Sequence, residues 1–175
     1  RQLVNKHNPS LTIEEYFDVI RAKTALLFAA AASIGAILGQ AGKEIENKLF
    51  NYGLHLGNAF QLIDDALDYC ADAQTIGKNI GDDLADGKAT LPLLHAFSQG
   101  TSEDRAIISE SLKTGNLANL DKILAIIDKT DSIAFTKSFA QEEIDKALAA
   151  LDILPPSTYK SALVELAEFA ILRNH

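Results

Sequence analysis

The sequence predicts an all-α protein, and three observations carry that prediction. No run alternates apolar and polar residues with a β period, whereas long segments repeat apolar residues at helical spacing. Capping signals and breaks fall between those segments: Thr12-Ile13-Glu14-Glu15 opens one, and Gly39, Gly100, Gly115 and Pro155-Pro156 interrupt the rest. The chain has 175 residues, 47% of them hydrophobic and 23% charged, which suffices for one sizeable core. A single domain portion spanning 1–175 is the expectation.

The first helix is expected from Thr12, as N-cap, to about Leu38, with Gly39 as its stop. Its early turns are amphipathic; beyond Ala25 it is uniformly small and apolar. Lys23 and Thr24 stand where the polarity ends. A lysine there either reaches out to solvent along its stem or faces an internal anion. The uncharged run from Ala25 to Gly42 is marginal for a membrane span, and a buried core helix accounts for it better.

A second helix starts near Lys43, solvated at first and apolar past Asn51. Gly53 and Gly57 each weaken it by roughly 1 kcal/mol relative to Ala. Four residues apart, they share a face, so a neighbouring helix or a ligand chain comes close there. Further on, Gln61, Asp64, Asp65, Asp68 and Asp72 fall on one narrow arc. Leu56, Phe60, Ile63, Leu67 and Cys70 form an apolar stripe beside it. The helix is therefore apolar almost all round, as a buried helix is, with one acidic seam.

That seam is under electrostatic tension. Like charges at i, i+4 weaken a helix, and no Lys or Arg occurs between Lys48 and Lys78. Clustered hard oxygen ligands suit Mg²⁺, which takes one or two carboxylates, waters and substrate phosphates. A solvated acidic face is the other reading of the same residues. Residues 71–88 follow as a loop dense in Gly and Asp, with two isolated lysines, Lys78 and Lys88. Beside a carboxylate-rich helix they suit a metal–diphosphate group; an ordinary acidic surface loop is the alternative. The loop is not a Walker A sequence. Helices are expected at roughly 90–98, 102–113, 116–129, 132–151 and 157–173, and this second half reads as scaffold.

Composition excludes several classes. Net charge is −8 with no basic run, which argues against nucleic-acid binding. The four histidines are scattered, so neither a His-based triad nor a zinc site has support. The single cysteine, Cys70, lies on the apolar stripe and reads as structural. A cytoplasmic location is expected, without a signal peptide or transmembrane segment. Methionine is absent and Arg1 comes first, so the chain is expected to be part of a longer protein.

Phe60-Gln61-Leu62-Ile63-Asp64-Asp65-x-x-Asp68, then Gly77-Lys78-x-x-Gly81-Asp82-Asp83-Leu84-x-x-Gly87-Lys88-x-Thr90-Leu91-Pro92, resembles the trans-prenyl diphosphate synthases. Lys23-Thr24-Ala25 upstream matches a third motif of that family. The resemblance covers all 175 residues and only about the C-terminal half of the family's chain. The first aspartate-rich motif and the isopentenyl diphosphate site are not in it. Within the family the chain looks most like the bacterial members that make octaprenyl diphosphate for quinone side chains.

The resemblance implies a helical bundle of the isoprenoid synthase type. Segments 10–40 and 43–70 would be the active-site helices, 71–89 the diphosphate and metal loop, and 90–175 the scaffold. Asp64 would ligate Mg²⁺, with Asp65 and Asp68 holding metal waters. Lys23, Lys78 and Lys88 would meet the allylic diphosphate. Thr24 and Gln61 would stand beside the developing cation, Asp82 would orient its neighbours, and Arg173 would belong to a closing tail. The expected substrates are isopentenyl diphosphate and an allylic diphosphate such as farnesyl diphosphate. A homodimer is implied, with peripheral membrane contact for product release. These residues alone are expected to be inactive, and product length is set upstream of them. Two further readings are a class I terpene cyclase, against which the Gly77-to-Pro92 tract argues, and a non-catalytic helical subunit of a prenyl synthase, which has no use for a metal seam.

Overall fold

The structure is a computed structural model that describes residues 8–70 and 80–173. Among those residues every regular element is helical. In chain order they are α1 (Ile13–Ile20), a π-helical turn (Arg21–Ala25), α2 (Leu26–Leu38), α3 (Lys43–Leu67), α4 (Asp82–Ala85), α5 (Leu91–Gln99), α6 (Ser102–Thr114), α7 (Leu120–Lys129), α8 (Ser132–Ala150) and α9 (Thr158–Leu172), with 3₁₀ turns at Leu117–Asn119 and Leu151–Ile153. The all-α expectation holds, and the helices expected after Pro92 begin and end within a residue or so of their predicted limits, except that α7 is preceded by a 3₁₀ turn.

Local chemistry explains the starts. Thr12 and Glu15 form the expected capping box: the Glu15 N–H donates to Thr12 Oγ1 at 3.2 Å, and the Thr12 N–H donates to Glu15 Oε2 at 2.9 Å. Thr101 and Asp104 do the same for α6. Pro92 sits in the first turn of α5, where a missing N–H costs nothing. Ser157 caps α9 directly after the proline pair.

Two units divide the chain. Of the described residues, the first comprises 8–19, 64–70 and 80–137; the second comprises 20–63 and 138–173. The first unit buries Tyr16, Leu84, Leu91, Leu93, Ile108, Leu112, Ile123 and Ile127. The second buries Ala25, Ala29, Tyr52, Leu56, Leu62, Ile144, Ala147 and Leu151. Within the second unit α2 and α3 touch at backbone distance. A Cβ on Gly53 would lie 2.4 Å from the Phe28 carbonyl oxygen, and one on Gly57 would lie 2.5 Å from Ala25 Cα. The face left open by the sequence thus receives a helix.

Two expectations need correction. The acid-seamed helix was expected to reach Cys70, but α3 stops at Leu67, and residues 68–70 form tighter turns in which the Tyr69 and Cys70 N–H groups donate to Ala66 and Leu67 oxygens. Asp68 keeps the helical bond, its N–H donating to the Asp64 carbonyl at 3.2 Å, so the arc closes at Asp68 and the chain departs from the helix after it. The apolar segment after Ala25 was expected to be a buried core helix, yet in α2 only Ala29 and Ala36 are buried, while Leu26, Leu27, Ile34, Ile37 and Leu38 are exposed. The described helices of this chain cover one face of α2 and leave the rest open. By length and composition alone Ile13–Leu38 could cross a membrane; its interlock with α3 marks it as a packed helix.

Candidate active site

In the first unit the end of α3 presents the acidic residues. Asp64 is half-buried, and Asp65 and Asp68 are buried. Burying a carboxylate costs free energy unless donors meet it, and donors do. The Tyr16 hydroxyl donates to Asp65 Oδ2 at 2.7 Å. The Asp83 backbone N–H donates to Asp68 Oδ2 at 3.1 Å, and the Gly81 N–H donates to the Asp68 carbonyl at 3.0 Å. Gly81 has φ +83°, the left-handed conformation that glycine accepts without strain, and this turn brings the start of α4 back onto Asp68.

The tyrosines beside the cluster stay protonated. Burial pushes Tyr16 well above its ordinary value, and the adjacent Asp65 adds to the shift. Burial likewise raises Tyr69, whose hydroxyl accepts a long contact, 3.5 Å, from Thr90 Oγ1. Lys88 is committed to two carboxylates, with Nζ 2.8 Å from Asp83 Oδ1 and 2.8 Å from Asp86 Oδ2. Burial works against its charge, but those two partners outweigh it and leave the ammonium harder to deprotonate than usual. Lys88 thus ties together the loop around α4. Asp82 opens α4 and is exposed.

In the second unit Lys23 and Thr24 sit inside the π-helical turn. A π turn inserts one extra residue into a helix and re-aims side chains, often at functional sites. Here Thr24 Oγ1 donates to Gln61 Oε1 at 2.9 Å, and Gln61 is buried. Lys23 is exposed. The Arg173 guanidinium lies 3.9 Å from the centre of the Phe60 ring, a cation–π distance, and Nη2 donates to the Phe60 carbonyl at 3.4 Å. A separate buried network joins α3 to α8. Glu143 Oε2 lies 2.8 Å from His55 Nδ1 and accepts from Asn58 Nδ2 at 2.7 Å, while Oε1 accepts from Lys146 Nζ at 2.7 Å.

Asp64, Asp65 and Asp68 are thus placed together at the end of one helix, with Gln61 a turn earlier. Lys78 and Asp72 lie outside the described residues. Among the described residues no three His, Cys, Asp or Glu side chains converge as a ready-made metal cage. The donor set still fits Mg²⁺. It is all oxygen, and Mg²⁺ is held by one or two carboxylates together with waters and substrate oxygens rather than by an all-protein cage. Sequence reasoning missed three participants: the Tyr16 hydroxyl, the Asp83 N–H and the π turn. Tyr16 was detectable in principle, because it occupies the core face of α1 and a buried tyrosine hydroxyl requires a partner.

These features define an all-helical protein with an acid-rich helix end, a glycine-turned loop and a Lys-Thr pair in a π turn. Residues 1–129 match the family model described as Polyprenyl synthetase. The chain belongs to that family. It is 47% identical over 174 residues to the octaprenyl diphosphate synthase of Escherichia coli K12, covering 99% of this chain and 54% of that protein. It is 45% identical over 173 residues to the geranyl-diphosphate-specific all-trans-nonaprenyl-diphosphate synthase of Rhodobacter capsulatus, covering 98% and 53%. Among solved structures, the polyprenyl synthase of Caulobacter crescentus CB15, complexed with calcium and isoprenyl diphosphate, superposes with a TM-score of 0.93 at 39% identity, covering 99% of this chain and 54% of the other. The fold is that of the isoprenyl diphosphate synthases. The chain spans about half the length of the curated relatives it matches.

Proposed function

We propose that the protein to which this chain belongs is a Mg²⁺-dependent prenyltransferase that condenses isopentenyl diphosphate onto an allylic diphosphate such as farnesyl diphosphate. The product would be a long-chain all-trans polyprenyl diphosphate, octaprenyl diphosphate on our reading, for quinone side chains. The observation that carries this is the treatment of the acidic cluster. Asp65 and Asp68 receive hydrogen bonds from a hydroxyl and a backbone amide. Such donors orient a carboxylate without cancelling its charge, which is what a cation site needs. The family membership and the Lys23-Thr24 and Gly81-to-Pro92 tracts support the same reading.

Asp64 is proposed to hold the metal, with Asp65 and Asp68 holding its waters. Bound there, Mg²⁺ would neutralise charge developing on the departing diphosphate. Lys23 and Lys78 would pair with the remaining diphosphate oxygens, with Lys88 nearby in the loop it braces, and Asp82 would orient its neighbours. Thr24 and Gln61, already hydrogen-bonded to each other, would turn polar oxygens toward the allylic carbon. The C–O bond of the allylic diphosphate breaks with the electron pair leaving on oxygen. The double bond of isopentenyl diphosphate then forms the new C–C bond, and a proton leaves to restore an alkene. Charge stabilisation of the leaving group is the main contribution. The proposal includes a homodimer, a cytoplasmic location and peripheral membrane contact for product release, and it expects no turnover from these 175 residues alone.

The test is to incubate the full-length gene product with Mg²⁺, farnesyl diphosphate and labelled isopentenyl diphosphate, and to size the extracted lipids. A ladder ending at eight isoprene units is expected, and Asp64→Ala should abolish it. A different end point would change the product while keeping the reaction. A folded protein that binds an allylic diphosphate but elongates nothing would refute the proposal.

A further inference from the structure

Tyr16 and Asp65 are 49 residues apart, and each is 3% exposed. Their hydrogen bond, 2.7 Å from the Tyr16 hydroxyl to Asp65 Oδ2, has the ordinary length of a well-formed O–H···O bond. Tyr16 is also held firmly. The capping box of Thr12 and Glu15 fixes the start of α1, the Tyr16 N–H donates to the Thr12 carbonyl at 2.9 Å, and the Phe17 ring meets the Tyr16 ring edge-on with centres 5.8 Å apart. The hydroxyl therefore has little freedom to follow Asp65; Asp65 must follow the hydroxyl. Once Oδ2 is pinned, the plane of the carboxylate is set, and with it the direction of Oδ1.

The chemistry of the pair is specific. As packing alone it is wasteful, because two apolar side chains of the same shape would fill this space without burying an acid. A tyrosine hydroxyl is a neutral donor, and it fixes the direction of the oxygen it meets.

We infer that Tyr16 is a positioning residue of the acidic cluster: it holds Asp65 in one orientation for use by a hard divalent cation. The inference rests on the proposed function, and it adds a residue outside the three sequence motifs, supplied by a different helix.

The experiment measures Mn²⁺ binding by electron paramagnetic resonance in the presence of inorganic diphosphate, using the full-length protein and the variants Y16F, D65N, Y16F/D65N and D64A. Outer hydrogen-bond partners of metal-site groups typically contribute about 10- to 100-fold to affinity. Y16F is expected to weaken Mn²⁺ binding about tenfold, at the low end of that range. The double variant should bind no more weakly than D65N, because Tyr16 acts through Asp65. Thermal unfolding is followed in parallel. Y16F with a lowered midpoint and unchanged Mn²⁺ affinity, or a double variant in which the two losses multiply, overturns the inference. If Y16F loses its helical circular dichroism, D65N decides alone, since its amide oxygen still accepts from Tyr16; unchanged Mn²⁺ binding by D65N then overturns it. D64A separates the two levels. If D64A binds Mn²⁺ normally, the functional proposal itself fails, whereas weak binding by D64A beside normal binding by Y16F removes only the role of Tyr16.

Discussion

Gly57→Ala tests the contact on which the second unit depends. A methyl group on Gly57 would sit 2.5 Å from Ala25 Cα, 3.1 Å from Ala25 Cβ and 3.3 Å from Phe28 Cβ. Carbon atoms prefer separations of about 3.5–4.0 Å, so the nearest approach is about 1 Å too short. The obstacle is the backbone of the π turn, which cannot swing aside as a side-chain tip can. Overpacking of this kind costs about 1–3 kcal/mol, and a backbone obstacle belongs at the upper end. Against it stands the helix-propensity gain of replacing glycine with alanine, about 1 kcal/mol. The balance is a net loss of about 2 kcal/mol, or a fall of roughly 4–8 °C in the unfolding midpoint for a chain of this size. Gly35→Ala supplies the control. It lies in α2 with nothing within 4 Å of its would-be Cβ, so the propensity gain of up to about 1 kcal/mol should appear uncancelled. The assay is thermal and urea unfolding of both variants by circular dichroism. If Gly57→Ala is as stable as wild type, or gains as Gly35→Ala does, the tight α2–α3 contact is not what the geometry indicates.

Two other outcomes follow from the second unit. Burial alone would raise the Glu143 carboxyl, but its hydrogen bonds with His55, Lys146 and Asn58 outweigh burial and hold it at about 2, below the ordinary 4.5. A depressed carboxylate stabilises the fold fully above pH 4.5 and loses that contribution as pH falls toward 2. The loss should reach on the order of 2–3 kcal/mol. Unfolding midpoints of wild type and Glu143→Gln between pH 7 and pH 2.5 measure it: the variant should be less stable at pH 7 and show a shallower acid limb, and parallel acid limbs would contradict the assignment. The second outcome concerns apolar exposure. Leu27, Leu38 and Leu172 are 74%, 79% and 73% exposed, and Phe169 and Leu166 lie open on α9. Surfaces of that kind associate in water, so the 175-residue chain alone should sediment as concentration-dependent oligomers. Leu27→Glu with Leu38→Glu should reduce the association, and a monomer at all concentrations would contradict it.

The fold was legible because its signals are local. A capping box, glycine and proline breaks and the 3.6-residue period act within a few residues, so the limits of α5, α6, α8 and α9 could be read directly. Where the reading failed, a distant partner decided. The helix period alone would carry α3 through Asp68 to Cys70, yet α3 ends at Leu67, and Gly81 and Asp83 return from the loop to bond Asp68. The small, apolar stretch after Ala25 predicts burial only if enough chain is present to cover it. Gly53 and Gly57 announced a close neighbour, but glycine spacing reports that space is required without saying what fills it.

The candidate site shows the same limit more sharply. The pattern of Gln61, Asp64, Asp65 and Asp68 identifies which acids cluster, because helical spacing alone puts them on one arc. It does not say how a buried cluster of like charges is held. Two of the donors described, the Tyr16 hydroxyl and the Asp83 amide, belong to residues that carry no charge signal of their own at those atoms, and they lie 49 and 15 residues away from their acceptors. Charge counting looks for a lysine and finds two in the loop: Lys88 is occupied with Asp83 and Asp86, and Lys78 lies outside the described residues. Under the proposed function such neutral donors have a use, since they fix the direction of a carboxylate that a cation is to meet. The charged residues of such a site are therefore readable from sequence, and the uncharged groups that aim them become visible only when the chain has folded.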